Sequence, residues 1–582
     1  MQLFNLKIYF FLFVVFTVSS QEREQIEIKF APYMTIEEKN PEATILTRDN
    51  SKQVHIKHKG IELWCDKAVY YQDQDFIEAF GKVLVKQGDS LDMTSNYAEY
   101  SGITQLAYAS GDVVLIDSNS KLYTDILYFD RIKQQALYNQ NGKVENDSSG
   151  TITSKIGRYF ANEKKYQFSQ NVELINPEYV INTRRLDFYT DSGYSFLYGE
   201  SKIVSNTSTI YCERGFYDTK SDTGYFVKKS KIDYDERTIT GDSIYFNRNT
   251  SFASANNNIK VIDTLNKTLI RGHYAEVFRL KDSVFITKRA IAVKEYQNDS
   301  IYIHADKLMV TGPPNERILR GYYNAKMYKS DLSGKADSIH MNQRSGKTQL
   351  INFYKDENVF SKKKFPILWH NKNQITGDSI HLISNSQNES LDSLKVFNNA
   401  FIISRDTMDA GYNQIKGKKL NGIFLNNKLK ILNIIKNAES IYYLRDNKNE
   451  LVGIDKSKSA SIKIFIDQNR IEEIRKINQI DGKTYPKKDF PKNEDLLKGF
   501  AWREEEKPLN VEDLFTDDPP LKLPVIKGLK EIPTNTEFFD NNLNERIEKA
   551  KKISIKNNIA NKNIDNKAAR KIPEKNYQNK IN

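Results

Sequence analysis

Three groups of residues carry types and spacings that chemistry could use. Gly88-Asp89-Ser90-Leu91 spells a motif of serine lipases and esterases, in which the serine is a nucleophile that needs a histidine base. Gly-Asp-Ser recurs at Gly241 and Gly377 in a different register, and no histidine follows His381, so the match does not build a triad. His55 and His58 have a spacing that binds metal on a helix. In a strand the same spacing sends the two side chains to opposite faces, and no carboxylate or cysteine cluster accompanies them. They are expected to be surface histidines ahead of the first repeat. His340 and His381 follow Ile339 and Ile380 as Tyr245 follows Ile244, and exchange with tyrosine implies a packing or surface role. Glu472 and Glu473 are adjacent carboxylates, but nothing selects them for acid–base work. There is no phosphate-binding glycine loop and no zinc spacing. The tyrosines and phenylalanines could stack on sugars or bases, yet cross-strand packing accounts for them and repeats with the fold. No active site, cofactor or metal site is expected.

What would position any such residue is a repeat. Ile61-Glu-Leu-Trp-Cys-Asp-Lys-Ala-Val-Tyr70 and Leu91-Asp-Met-Thr-Ser-Asn-Tyr-Ala-Glu-Tyr100 share one pattern: apolar, any, apolar, any, small, polar, any, aliphatic, any, aromatic. It returns at Leu122, Ile152, Ile181, Ile210, Ile239, Ile270, Ile303, Lys335, Thr376 and Ile415. The small residues are Cys65, Ser95, Thr124, Ser154, Thr183, Cys212, Gly241, Gly272, Ala305, Ala336, Gly377 and Gly417. Their spacings are 30, 29, 30, 29, 29, 29, 31, 33, 31, 41 and 40 residues, the signature of a repeat architecture.

Each unit has a second half, in which Gly or Asn precedes alternating aliphatics, as in Ala79-Phe-Gly81-Lys-Val83 and Phe168-Ser-Gln-Asn171-Val. Turns such as Asp191-Ser-Gly193 carry hairpin chemistry. Alternation with period two, in segments rich in Tyr, Phe, Ile, Val and Thr, is that of strands. Within a unit the phase slips: Ile61, Leu63 and Cys65 are odd-numbered, Ala68 and Tyr70 even. A slip at the small-polar pair predicts a bulge or corner that bends the strand from one sheet toward another. The expected fold is all-β, an elongated repeat-built β-jelly roll of about 30-residue units. A parallel β-helix solenoid is the alternative, and hairpin turns weigh against it.

The ends differ from the body. Lys7 precedes an apolar run from Ile8 to Val18, then Ser19, Ser20 and Gln21, which reads as a secretory signal peptide over 1–20. An uncleaved anchor is the alternative, although the run falls short of the about 20 apolar residues of a spanning helix. Gln21 rather than Cys after the cut weighs against a lipoprotein. Cys65 and Cys212 occupy the same place in two distant repeats and are expected as free, packed thiols. The net charge is +12, but residues 541–582 hold 11 Lys and Arg against 4 Asp and Glu, or +7, so the basic balance does not imply nucleic acid. The expected organisation is a lead-in over 21–56, a first jelly roll over 57–265, and a second, more divergent repeat region over 266–446. C-terminal strands and an extended proline-bearing segment follow over 447–515, then a largely disordered Pro- and then Asn/Lys-rich tail over 516–582.

The alternating strand, the small-Asp corner, the Ala-x-Tyr continuation and the Gly- or Asn-Val strand together resemble the OstA/LptA family of periplasmic lipopolysaccharide-transport proteins. The resemblance spans Lys57 to Leu425, and Leu496-Leu-Lys-Gly-Phe-Ala-Trp502-Arg is similar to a C-terminal piece of long OstA-like members. It implies a twisted β-jelly roll that holds acyl chains of lipid A inside. It also implies location in the periplasm at either membrane, and edge strands that join bridge or outer-membrane translocon proteins or a second copy end to end. The interior positions would be Ile61, Leu63, Ala68, Leu91, Met93, Ala98, Ile152, Ile181, Ile210 and Ile239. The chain is longer than the small bridge protein and lacks the strands of an outer-membrane barrel. The competing function is a structural or adhesive solenoid with a filled core and an outer binding face. A polysaccharide-modifying solenoid enzyme is disfavoured by the lack of clustered carboxylates.

Overall fold

The computed structural model describes residues 24–524 except 296–298, 314–315, 353–364, 386–389, 407, 409–410, 447 and 468–469. The expected signal peptide and residues 525–582 of the expected tail lie outside the described residues. Among these there are 36 strands and no α-helix. No helix among them is long and apolar enough to cross a membrane. Contacts divide the chain into two compact units. Among the described residues, one takes in 24–147 and Thr151–Gln170; the other takes in Ser148–Gly150 and 171–524.

Both units are antiparallel meanders. In the first, Phe76–Gln87, Leu91–Ser101, Leu106–Asp117 and Ser120–Asp130 pair in sequence. In the second, each strand from Tyr179–Tyr189 to Leu332–Asn342 pairs with the next. Hairpin-linked antiparallel strands exclude the parallel β-helix, and the fold is a repeat-built β-jelly roll.

The corner lies where the phase slip put it. Phe80 faces Tyr97 and Val83 faces Ser95, so one strand spends three steps where its partner spends two. The strand Leu91–Ser101 buries Leu91, Met93 and Ser95 and then Ala98, changing phase as it bends. Its neighbour keeps phase by holding one residue more, with Gly81 at φ 71° and Lys82 at φ 44°. The same left-handed pair recurs at Gly111-Asp112, Lys228-Lys229, Asn257-Asn258, Lys288-Arg289, Tyr323-Asn324, Asn398-Asn399 and Lys436-Asn437. The long strands are thereby folded across their middles, and each meander becomes two leaves that face each other.

The fold explains both halves of the small-polar signature. A Cβ on Gly377 would lie 2.2 Å from Val396 Cγ1, one on Gly272 2.4 Å from Ile286 Cγ2, and one on Gly417 2.5 Å from Ile434 Cγ2. In each case an aliphatic side chain of the second leaf occupies the space, so only a small residue fits at the bend. The following aspartate ties down the left-handed pair: Asp242 Oδ2 accepts from Asn257 Nδ2 at 2.7 Å and Asn258 Nδ2 at 2.9 Å, and Asp378 accepts from Asn399 at 3.0 Å.

Inside, direct cross-strand neighbours form apolar rows. In the second unit the first leaf aligns Ile181, Ile203, Ile210, Ile232, Ile239, Val261, Ile270, Ala292, Ile303 and Met327. The second leaf aligns Phe226, Ile244, Ala255, Ala275, Ile286, Leu308, Gly321, Ile339, Leu350, Ile380, Val396, Leu420, Ile434 and Ile462. Each step is about 4.8 Å, the inter-strand spacing.

The strand Leu451–Asp467 pairs with Arg470–Ile477 as a hairpin, and also with Asp481–Tyr485. From Pro486 the chain becomes a strap that runs back over the outer face of the second unit. Gln414 binds it at Asp495 and Leu497, Gln374 at Ala501 and Arg503, Lys335 at Glu506, His304 at Asp518, and Asn256 at Pro524. Prolines keep this segment extended and lacking donors. Leu497, Phe490, Phe500 and Trp502 pack against Phe401, Ile403, Ile441 and Tyr443 on the outer face.

Candidate functional site

The space between the leaves is the candidate site. In the first unit it holds a cavity of about 60 Å³ lined on one leaf by Ile56, Ile61, Leu63, Val85, Leu91, Met93 and Leu115. Ile77, Ala98, Tyr100, Ala107 and Phe129 close it from the other leaf. Five of the residues singled out in the sequence, Ile61, Leu63, Leu91, Met93 and Ala98, therefore meet on one wall system. Ala68 is buried opposite Ala79, and Ile152 is buried in its own strand; neither lines this cavity. Ile181, Ile210 and Ile239 lie in the aliphatic row of the second unit. Asp92, next to Met93, points the other way and pairs with Lys86 at 3.6 Å.

Polar contacts cross from leaf to leaf at the open edge of this first cavity. His58 Nε2 meets the Glu24 carbonyl at 2.9 Å, so it donates, and Nδ1 accepts the Tyr100 hydroxyl at 2.7 Å. Burial pushes the Tyr100 hydroxyl up to about 12, which keeps it a donor. Gln87 donates to Gln134 at 2.7 Å, Arg131 donates to the Lys59 carbonyl, and Lys164 pairs with the buried Asp117 at 2.9 Å. His58 is thus buried and not a surface residue, a correction to the sequence expectation: the apolar face of Val54–His58 turns inward and carries it along. His55 lies on the opposite face, stacked on Trp64 with ring centroids 4.6 Å apart.

The second unit holds a larger cavity, about 180 Å³, at the edge of its leaves. Val261, Ile270, Ala292 and Ile303 line it from the first leaf, and Val284, Val310, Leu319 and Met341 from the second. Its rim is polar. Asp263 is ion-paired with Arg317, lies 3.8 Å from Arg237 Nε, and accepts from Asn266 Nδ2 at 3.0 Å. Lys294 donates to the Asn266 carbonyl at 2.8 Å, and Gln343 donates to the Asn266 side chain. None of the residues singled out in the sequence belongs to this rim. Its one available signal is polar residues at inward-phase positions where the strands Phe252–Asp263 and Ser283–Glu295 end.

The other residues considered for chemistry have structural partners. Ser90 Oγ donates to the Gln87 carbonyl at 3.3 Å within its turn. His381 contacts Gln349 and Ser379 and lies 4.7 Å from the Phe397 ring, and burial lowers it to about 4. His340 packs against Tyr322, and burial lowers its pKa too. Cys65 and Cys212 are free and buried, and burial pushes each thiol up to about 12.

Residues 24–184 match the family described as OstA-like protein. Over that stretch the chain is similar to the OstA-like family. Comparison with curated proteins finds no match. Among solved structures, the chain is similar to LptH of Pseudomonas aeruginosa, the LptA-homologous periplasmic component of its lipopolysaccharide transport device. Sequence identity is 11%, the match covers 23% of this chain and 92% of that one, and the TM-score is 0.20. The OstA-like segment contains the whole first cavity, with Met93 and its neighbours.

Proposed function

We propose that this chain is a non-catalytic, periplasmic lipid-binding protein of lipopolysaccharide transport and outer-membrane assembly, which holds acyl chains between its two leaves. The observation that carries this reading is the pair of facing leaves, each with an aliphatic row on its inner side and a cavity where Met93 and Ala98 meet. An acyl chain crossing water needs continuous apolar contact, at roughly 25 cal/mol per Å² buried. The OstA-like match and the export signal read from the first twenty residues support the same assignment. Exposed strand edges would join neighbouring transport proteins or a second copy by strand addition.

The test is a photoreactive residue at Met93, and separately at Asp92, in protein mixed with lipopolysaccharide. An adduct at Met93 and none at Asp92 is expected. Equal adducts, or none in the folded protein, would refute the assignment. The second reading, a solenoid that binds a partner on its outer face, draws on the close packing of much of the interior, where Ile181 and Leu186 are fully buried. Absence of adducts at both positions would favour it.

A further inference from the structure

The rim of the second cavity pairs charge with an apolar chamber. Arg237 and Arg317 share a single carboxylate, Asp263, at the edge, two cations against one anion. Asp263 is shared: it pairs with Arg317, and Arg237 Nε stands 3.8 Å away, beyond hydrogen-bond reach. The Nε atoms of both arginines are buried without a hydrogen-bond partner among the described residues. Buried guanidinium donors left unpaired are costly, and an anionic group with several acceptor oxygens satisfies them. Immediately below them the walls become aliphatic, with Ile303 and Leu319 on opposite leaves. A cavity of about 180 Å³ far exceeds the roughly 30 Å³ that one water occupies.

We infer that this cavity is a binding site for an amphiphile with an anionic head, a phosphate or carboxylate, seated on Arg237 and Arg317 with its alkyl chain between the leaves. The inference rests on the proposal that the interior takes up lipid chains, and it adds the charge and position of the head. Asp263 then acts as the internal anion that holds Arg317 in place when the site is empty. The ligand's oxygens would take the donors that Asp263 does not reach.

The test is calorimetric titration of the full chain with dodecyl phosphate, dodecanol and inorganic phosphate. Dodecyl phosphate is expected to bind at least tenfold more tightly than either of the others. Arg237→Gln leaves the Asp263–Arg317 pair intact and is expected to weaken dodecyl phosphate at least tenfold while dodecanol is unchanged. The double variant Arg317→Gln with Asp263→Asn removes the pair together with both of its charges and is expected to do the same. Equal affinity for dodecyl phosphate and dodecanol would overturn the head-group site and leave the apolar interior standing. Inorganic phosphate binding as tightly as dodecyl phosphate would reduce the site to an anion site and overturn the amphiphile. A chain that takes up neither amphiphile would overturn this inference together with the proposed function.

Discussion

Gln414 accepts the backbone N–H of Leu497 at 2.8 Å and donates its own amide to the Asp495 carbonyl at 2.7 Å, so one side chain pairs with the strap as a strand would. Gln374 repeats the arrangement, accepting from the Arg503 N–H at 2.8 Å and donating to the Ala501 carbonyl at 2.6 Å. Both glutamines are buried beneath the strap. Replacing Gln374 and Gln414 together by alanine leaves these backbone groups unpaired, at about 1–3 kcal/mol for each buried group. Limited proteolysis should then cleave within 486–524 while the β-sheet circular dichroism persists. Unchanged protection would show that the strap is held by its apolar contacts alone.

The strap should respond to acid. Hydrogen bonding from Arg503, aided by Lys335, lowers Glu506 to about 2 from an ordinary 4.5. A depressed carboxylate contributes stability that is complete above its unfolded pKa and is lost as pH falls through the folded value. Protection of the strap should therefore hold above about pH 4.5 and decline toward pH 2. Glu506→Gln should flatten that decline; a wild-type profile in the variant would remove Glu506 from the account.

At the corners, Lys82 and Gly377 set opposite expectations for opposite changes. Lys82, at φ 44°, pays the Cβ penalty of that region, so Lys82→Gly should relieve about 1 kcal/mol, offset in part by glycine's greater unfolded entropy. Gly377→Val would place atoms against Val396 and should destabilise by about 1–3 kcal/mol. Urea unfolding of the two variants measures both. Equal effects of the same sign would contradict the corner geometry.

The thiols should be inert in the folded state. With Cys65 and Cys212 buried and raised to about 12, neither forms thiolate near neutrality. A chromogenic disulfide reagent at pH 8 should react with neither until denaturant is added, and then with both. Rapid native labelling of one would show that its corner opens locally.

What was legible in the sequence was local. The small residues from Cys65 to Gly417 recur at the period of the unit, and the change of phase beside them announces a bend, because alternation alone decides which face a strand residue takes. The compensating left-handed pairs were not legible. Lys228-Lys229, Lys288-Arg289 and Tyr323 are not residues that favour positive φ, and the surrounding ladder imposes it on them.

By itself, then, the sequence determined the strands, their inward positions such as Met93 and Ile239, and the corners, since each depends on neighbours a few residues apart. The tertiary structure alone decided which groups meet across the leaves and along the outer face. Asp263 finds Arg317 at a separation of 54 residues, and His304 finds Asp518 at 214. Those meetings depend on how folded strands stack and where the strap crosses them. Period and alternation fix the face of a residue but carry no information about its distant partner.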